Sequence, residues 1–514
     1  MQALKEILET SPIGYNDKDP AQLLIPGMYL KAENALIDTA RIKKRYGTSV
    51  LGTSLGNYSI LGLTPYEPIA GSKYVIACLD GASNAQLYSW AGTGNFAGIG
   101  SANLTKGAKM NFAQAANVLY GFNGTDVVSV DSSLTVTKNP ASVPQGTYGA
   151  WFHNYLFVAN TTSYPSRLYW SNLGVPGTFS GTDYLDVSPN DGDYITGMIG
   201  FNDELYVFKQ NTIWTITGWS GATFSTTTAA AQNLNSRLYG YGSVANGSLV
   251  VIGKDLYYLS FSGSIPHFRS LVQTSFASTL QGGIVSEDIE GTMNGLSKTS
   301  LSNTAGIFDG KYVYFSVTNG GSSSNNLVLV LEPSIKYKGH RSWSTWTSVK
   351  AAQFCSSRVS GRDTIYFGDA TTGGYVYKID TSLYSDNGTA VSLDVRTRDF
   401  MFDGARKTHY KYLYVKYLSG NTGTLDVNAR IDQAVDYATQ SALSQQGNSP
   451  GLGPTGAFTL GTSVLGGSPV SKTRVNLKQL TGTTCGIQFT EGTANACEIY
   501  DYQLMGVPKG LRAN

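Results

Sequence analysis

A chain of 514 residues with a formal net charge of +2 and only 14% charged side chains exerts no bulk electrostatic pull on nucleic acid. Its length exceeds what one simple core organises, so two domains or a large closed array are expected. A 41% hydrophobic share with a mean hydropathy of -0.13 reads as a folded, soluble chain. No run approaches the roughly 18 apolar residues of a membrane span, and MQALKEILETS lacks the basic start and apolar core of a secretory signal.

Residues 1–48 read as an N-terminal extended arm. A short helical turn is expected at Ala3–Leu8, then turn-rich SPIGYNDKDPAQLLIPG, then alternating strands around the basic cluster Arg41, Lys43, Lys44 and Arg45. From 49 to 388 one pattern recurs seven times: an apolar-aromatic strand, a polar turn or loop, and a second such strand. The hairpins begin near Tyr74, Val118, Tyr155, Leu205, Leu249, Tyr312 and Thr364, at intervals of 44, 37, 50, 44, 63 and 52 residues. That spacing is the blade period of a β-propeller. In Leu205-Tyr206-Val207-Phe208 both sets of alternate residues are apolar or aromatic, so both faces of the sheet are covered. The turns are too short for helical crossovers, which leaves antiparallel blades stacked face to face. The fold class expected is all-β: a propeller of about six or seven blades with a C-terminal β-sandwich-like accessory domain. Residues 272–300 interrupt the rhythm, with a helix expected around Thr274–Leu280. Beyond 389 the strands lengthen and alternate, as in HYKYLYVKYL, which marks residues 389–514 as the sandwich. Its stretch 438–470 is rich in Gly, Ser and Pro and reads as a flexible projecting loop.

Chemistry-bearing patterns are sparse. His153, His267, His340 and His409 have no metal-ligand spacing, and Cys78, Cys355, Cys485 and Cys497 form no CxxC pair. Buried free thiols are expected, although Cys485 and Cys497 could meet across a hairpin. No nucleophile elbow or phosphate loop is present. The acidic loop Ser188–Asp193 does not fit calcium-loop spacing and reads as a polar turn. Neither catalytic residues, cofactors nor metals are expected. The cluster Arg41, Lys43, Lys44 and Arg45 has two readings: a solvated edge strand whose charges discourage aggregation, or a contact with DNA phosphates or an acidic partner.

Three stretches carry a resemblance. AENALIDTARIKKRYGT (Ala32–Thr48) places an Asn and an Ile-Asp pair ahead of a basic residue, Arg and Gly-Thr. Ser166–Gly218 orders an aromatic-Ser strand, a Gly-x-Pro turn, an Asp-rich loop and a Leu-x-Val-Phe-Lys strand. GHRSWSTW (Gly339–Trp346) is a late tryptophan-bearing strand. Together they resemble the tail nozzle, or packaged-DNA stabilisation, proteins of short-tailed bacteriophages, over most of residues 30–350. The resemblance implies a non-enzymatic virion protein, assembled in the host cytoplasm, whose propeller commonly has about six blades. It implies a ring of copies, typically a hexamer, at the distal end of the DNA channel. The implied partners are the portal-adaptor side tail protein, tail fibre or spike proteins and the DNA passing through, with no membrane insertion. The competing expectation is a propeller that binds or degrades glycans in an aromatic, carboxylate-lined axial pocket. A hub or baseplate ring of another tail type is a third.

Overall fold

The computed structural model describes residues 4–509 except 70, 217–233, 262, 276–282, 403, 405, 419–421 and 445–469. Strands dominate it, and their arrangement follows from the doubly apolar pattern. Leu205 and Val207 enter one core with Tyr155, Phe157 and Trp170, while the alternate residues Tyr206 and Phe208 enter another with Leu256 and Tyr258. One strand therefore supplies the cores on both sides of its sheet, as a blade between two blades must.

Six small sheets are arranged in a ring and form a β-propeller. Four of them have four consecutive strands: Ile60–Tyr66 to Ala97–Leu104, Asn111–Ala115 to Val136–Lys138, Gly146–Phe152 to Val175–Asp186, and Ile195–Phe201 to Leu234–Tyr239. A fifth holds Val250–Ile252, Asp255–Ser260 and His267–Ser270. The sixth begins with Ala351–Ser357, Thr364–Asp369 and Val376–Asp380, and is then joined by Gly47–Val50 from the start of the chain. Its first strand packs beside Ile60–Tyr66, which closes the ring. Six of the seven predicted hairpins thus lie in separate small sheets. The remaining one, formed by Val313–Val317 and Leu327–Tyr337, lies between the fifth and sixth in a ten-stranded sheet that continues out of the propeller.

Glycines allow the close approach of neighbouring blades. A Cβ on Gly149 would lie 2.2 Å from the Phe122 ring, and one on Gly200 would lie 2.5 Å from Phe152. In both cases an aromatic side chain of the preceding blade lies where a side chain would project.

The ten-stranded sheet leaves the propeller at His340–Trp346. It passes through Met28–Glu33 to Leu393–Thr397, Cys485–Glu491, Thr424–Ile431 and Ala438–Ser444. Facing it is a six-stranded sheet of Val470–Gly482, Thr408–Leu418, Glu498–Pro508, Arg41–Lys44 and Ala35–Asp38, with Lys5–Glu9 added on Glu498–Pro508. A common core of Leu413, Val415, Val427, Ile487, Phe489 and Leu504 lies between them, as the alternating strands demand.

The described part of the expected N-terminal extended arm, residues 4–48, is packed into the fold. Tyr29, Ala32, Ala35, Ile37 and Ile42 are buried in this core, because alternation in this stretch gives it an apolar face that only a sheet partner covers. Of the helical turn expected at Ala3–Leu8, Ala3 lies outside the described residues and Lys5–Glu9 is a strand. Of the helix expected near Thr274–Leu280, the structure shows one turn at Leu271–Ser275; the rest, like 445–469 of the expected loop, lies outside the described residues. Within 438–470, Ala438–Ser444 is a paired strand.

Candidate functional site

All four cations of the basic cluster have internal partners. Arg41 pairs with Glu498 at 2.7 Å and Lys43 with Asp38 at 3.4 Å, both half-buried. Lys44 and Glu491 are both wholly inaccessible and meet at 2.5 Å; the Lys44 ammonium also donates to the Thr493 carbonyl. Arg45 is wholly inaccessible and grips both carboxylate oxygens of Asp386. Lys44 and Arg45 are therefore neither a solvated edge nor a surface for DNA or a partner. Charge runs locate cations but not their counter-charges, which for Arg41, Lys44 and Arg45 lie hundreds of residues away.

Around Arg45 the resembling stretches converge. Asn34 sits in the left-handed region at φ 53°, a conformation that asparagine tolerates better than most residues. Its side-chain oxygen accepts from Arg45 Nε at 3.0 Å and from the Thr347 amide at 3.2 Å. Arg45 also donates to Ser348 Oγ at 3.0 Å and to the Tyr46 carbonyl at 2.9 Å. Its guanidinium lies over the Trp346 ring, 5.3 Å from the centroid. Thr48 Oγ1 donates to Asp386 at 3.0 Å. A Cβ on Gly47 would lie 2.1 Å from the Ser385 carbonyl oxygen, so glycine is required there. One buried node thus ties the blade-closing strand Gly47–Val50 to the propeller strand ending at Trp346 and to Ser385–Asp386, a short strand of the same sheet as Gly47–Val50.

The second resembling stretch has its own node. Lys209 ends the Leu-x-Val-Phe-Lys strand and is wholly inaccessible. Its ammonium donates to both Asp191 oxygens at 2.6 and 2.7 Å and to the carbonyls of Val187 and Ser188, each at 3.0 Å. Partial burial alone would raise the Asp191 pKa; the Lys209 hydrogen bonds and charge outweigh it and hold the carboxyl below its ordinary range. The acidic loop is folded around the lysine that ends the strand Glu204–Lys209. Asp193 accepts from the amides of Gln210 at 3.1 Å and Asn211 at 2.8 Å. Beside it, Arg167 chelates Asp186 at 2.6 and 3.0 Å and is stacked between Tyr164 and Tyr184, 3.9 and 3.7 Å from their centroids. Tyr164, Arg167, Asp186 and Asp193 border a cavity of about 570 Å³ with Tyr194. Leu173, Val175, Tyr184 and Tyr194 leave this blade margin exposed and apolar.

Each histidine has its own hydrogen-bond partner, His267 Nδ1 meeting Ser286 Oγ at 3.5 Å. His340 Nδ1 meets Asp288 at 2.6 Å, His153 Nε2 meets Asp203 at 2.7 Å, and His409 Nδ1 meets Thr481 Oγ1 at 2.6 Å. All four cysteines are buried free thiols, and burial, with a smaller contribution from Asp80, pushes Cys78 up to about 12. Among the described residues no group of three His, Cys, Asp or Glu could hold a metal ion, and no helix is long and apolar enough to cross a membrane.

No protein-family model matches this sequence, and no curated protein matches it. Solved structures do resemble it at low identity. A streptogramin B lyase is 13% identical over 65% of this chain and 98% of its own, with a TM-score of 0.41. The Pan2 WD40 domain of Neurospora crassa is 7% identical over 67% and 98%, with a TM-score of 0.39. PorZ, a surface component of the type-IX secretion system of Porphyromonas gingivalis, is 10% identical over 71% and 44%, with a TM-score of 0.38. Likenesses at these TM-scores carry no functional argument.

Proposed function

We propose that this chain is a structural protein of a bacteriophage tail. It forms a ring, the nozzle, at the distal end of the DNA channel, helps retain packaged DNA and carries neighbouring tail proteins. The observation that supports this reading is the Arg45 node. The residues that carry the resemblance in Ala32–Thr48 and in Gly339–Trp346 are about 300 positions apart in the chain, yet Asn34, Arg45 and Trp346 meet in one buried cluster. Two of the three resembling stretches thus meet where propeller and accessory domain join, while Ser166–Gly218 lies in two of the propeller sheets. Strands from 1–48 run through both accessory sheets and one propeller sheet, an interlock suited to a component under mechanical load.

Arg41, Lys43, Lys44 and Arg45 have no part in DNA contact in this reading. The test is electron microscopy of the purified chain, alone and mixed with the portal-adaptor component it abuts. Monomers alone and rings on the adaptor are expected, because a templated ring avoids open filaments. No binding to the adaptor would overturn the proposal.

A further inference from the structure

The six-stranded accessory sheet turns one side to the common core. Leu413 and Val415 of Thr408–Leu418, Val475 and Leu477 of Val470–Gly482, and Leu504 of Glu498–Pro508 all lie in that core. Strand alternation sends the residues between them to the opposite, outer side. Tyr412, Tyr414 and Lys416 therefore share that side with Lys472 and Arg474. The three cations are exposed there, and both tyrosines are half-buried. The register sets Lys416 directly opposite Lys472 and Tyr414 opposite Arg474. On its other flank Lys416 lies opposite Asp501.

Folding alone does not account for this pattern, because like charges directly opposite on neighbouring strands repel. Lys416 has a carboxylate at 3.7 Å, that of Asp501, but Lys472 and Arg474 have no ion pair among the described residues. They lie over tyrosine rings instead. The Lys472 ammonium is 5.6 Å from the Tyr414 centroid, and the Arg474 guanidinium is 4.9 Å from that of Tyr412. The hydroxyls of Tyr412 and Tyr414 have no hydrogen-bond partner among the described residues. At the start of the same strand the pKa of His409 is lowered by burial and then by the charges of Lys509 and Lys411, so the positive field continues along it. The small net charge of +2 does not oppose this, since the cations are gathered on one side of one sheet.

We infer that this outer side of the sheet binds a single strand of nucleic acid, with Tyr412 and Tyr414 stacking bases and Lys416, Lys472 and Arg474 meeting phosphates. The two tyrosines are two residues apart on one strand, about 7 Å at the usual rise, so adjacent bases find adjacent rings. Aromatic side chains stack bases of any sequence, and a cationic surface beside them tracks the backbone. Sheet faces that carry aromatic residues hold single-stranded RNA in this way. A duplex keeps its bases stacked inside and offers these rings nothing. An acidic peptide would satisfy the cations and leave the rings unused. The inference does not rest on the role proposed above.

The test is fluorescence anisotropy with the purified full chain and labelled probes of equal length: an oligothymidylate, the same backbone without bases, and a duplex. The oligothymidylate should bind tightest. Its affinity should fall with salt at a log–log slope of about −2, as expected for three cations on a single strand. Tyr412→Ala and Tyr414→Ala should each weaken it roughly 5- to 150-fold. The double variant Lys472→Gln/Arg474→Gln should flatten the slope to about −0.7. Lys472→Gln removes a repulsion, so its Tm should hold or rise; a lowered Tm would show that the cation serves the fold and would overturn the premise. Equal binding of the baseless strand or the duplex, or displacement by polyglutamate at equal charge, overturns the inference. So do tyrosine variants that bind normally, and so does an oligothymidylate left unbound at tens of micromolar in low salt.

Discussion

Replacing Arg45 by methionine removes a charge from the node while keeping much of its apolar bulk. The guanidinium takes with it the two-pronged grip on Asp386, the bonds to Asn34, Ser348 and the Tyr46 carbonyl, and the stack on Trp346. Summing these at the usual 1.5–3 kcal/mol per charged hydrogen bond would overshoot, because the unfolded arginine is solvated. The governing quantity is the carboxylate of Asp386, left only 19% exposed and without its cation; breaking a buried pair costs about 3–5 kcal/mol. The loss should be local, because Gly47–Val50 is held in the last blade by Val376–Asp380 and by Asp386. At about 1.4 kcal/mol per decade, amide exchange in Gly47–Val50 should accelerate by roughly two to three orders of magnitude. Exchange in Leu205–Phe208, across the ring, should hardly change. Hydrogen exchange read by mass spectrometry resolves both segments. The double variant Arg45→Met/Asp386→Leu removes both charges and should recover most of the loss. Unchanged protection at Gly47–Val50 in the single variant would refute the claim that the node holds the ring shut.

Three further outcomes follow from the geometry. Gly149→Ala places a methyl 2.2 Å from the Phe122 ring and should cost about 1–3 kcal/mol by overpacking, measured as a lowered midpoint in urea. Lys209→Met strands Asp191 and the carbonyls of Val187 and Ser188; a loss of about 3–5 kcal/mol and new protease cleavage in residues 187–193 are expected. Asp380 sits beside the closing strand, where burial would raise its pKa but hydrogen bonds from Ser382 and Lys378 lower it to about 2. A depressed folded pKa stabilises above the unfolded value near 3.9 and loses that contribution as pH falls toward 2. About 2 kcal/mol should therefore disappear between roughly pH 4 and 2, and Asp380→Asn should flatten that part of the acid-unfolding curve.

Much of the architecture is legible in one dimension, because burial on both faces leaves a local mark. Leu205-Tyr206-Val207-Phe208 feeds two cores, and its recurrence at blade spacing announces stacked sheets. The sandwich announces itself through simple alternation in strands such as Thr408–Leu418, buried on one face. The cluster at Arg41–Arg45 is opaque for a physical reason. A charge reads the same whether it faces water or a carboxylate, and Arg45 finds its partner 341 positions on and Lys44 447 positions on. The closing strand is hidden in the same way, since nothing in GTSV says that its register partner is Val376–Asp380.

The most direct test of the central claim is a cryo-electron micrograph of the purified chain added to portal-adaptor complexes of a short-tailed phage carrying this sequence. The account expects a closed ring, typically of six copies, at the distal end of the channel, with the propeller and its interlocked accessory domain recognisable in each subunit. Adaptor complexes that remain bare while the folded chain stays free in solution would contradict it.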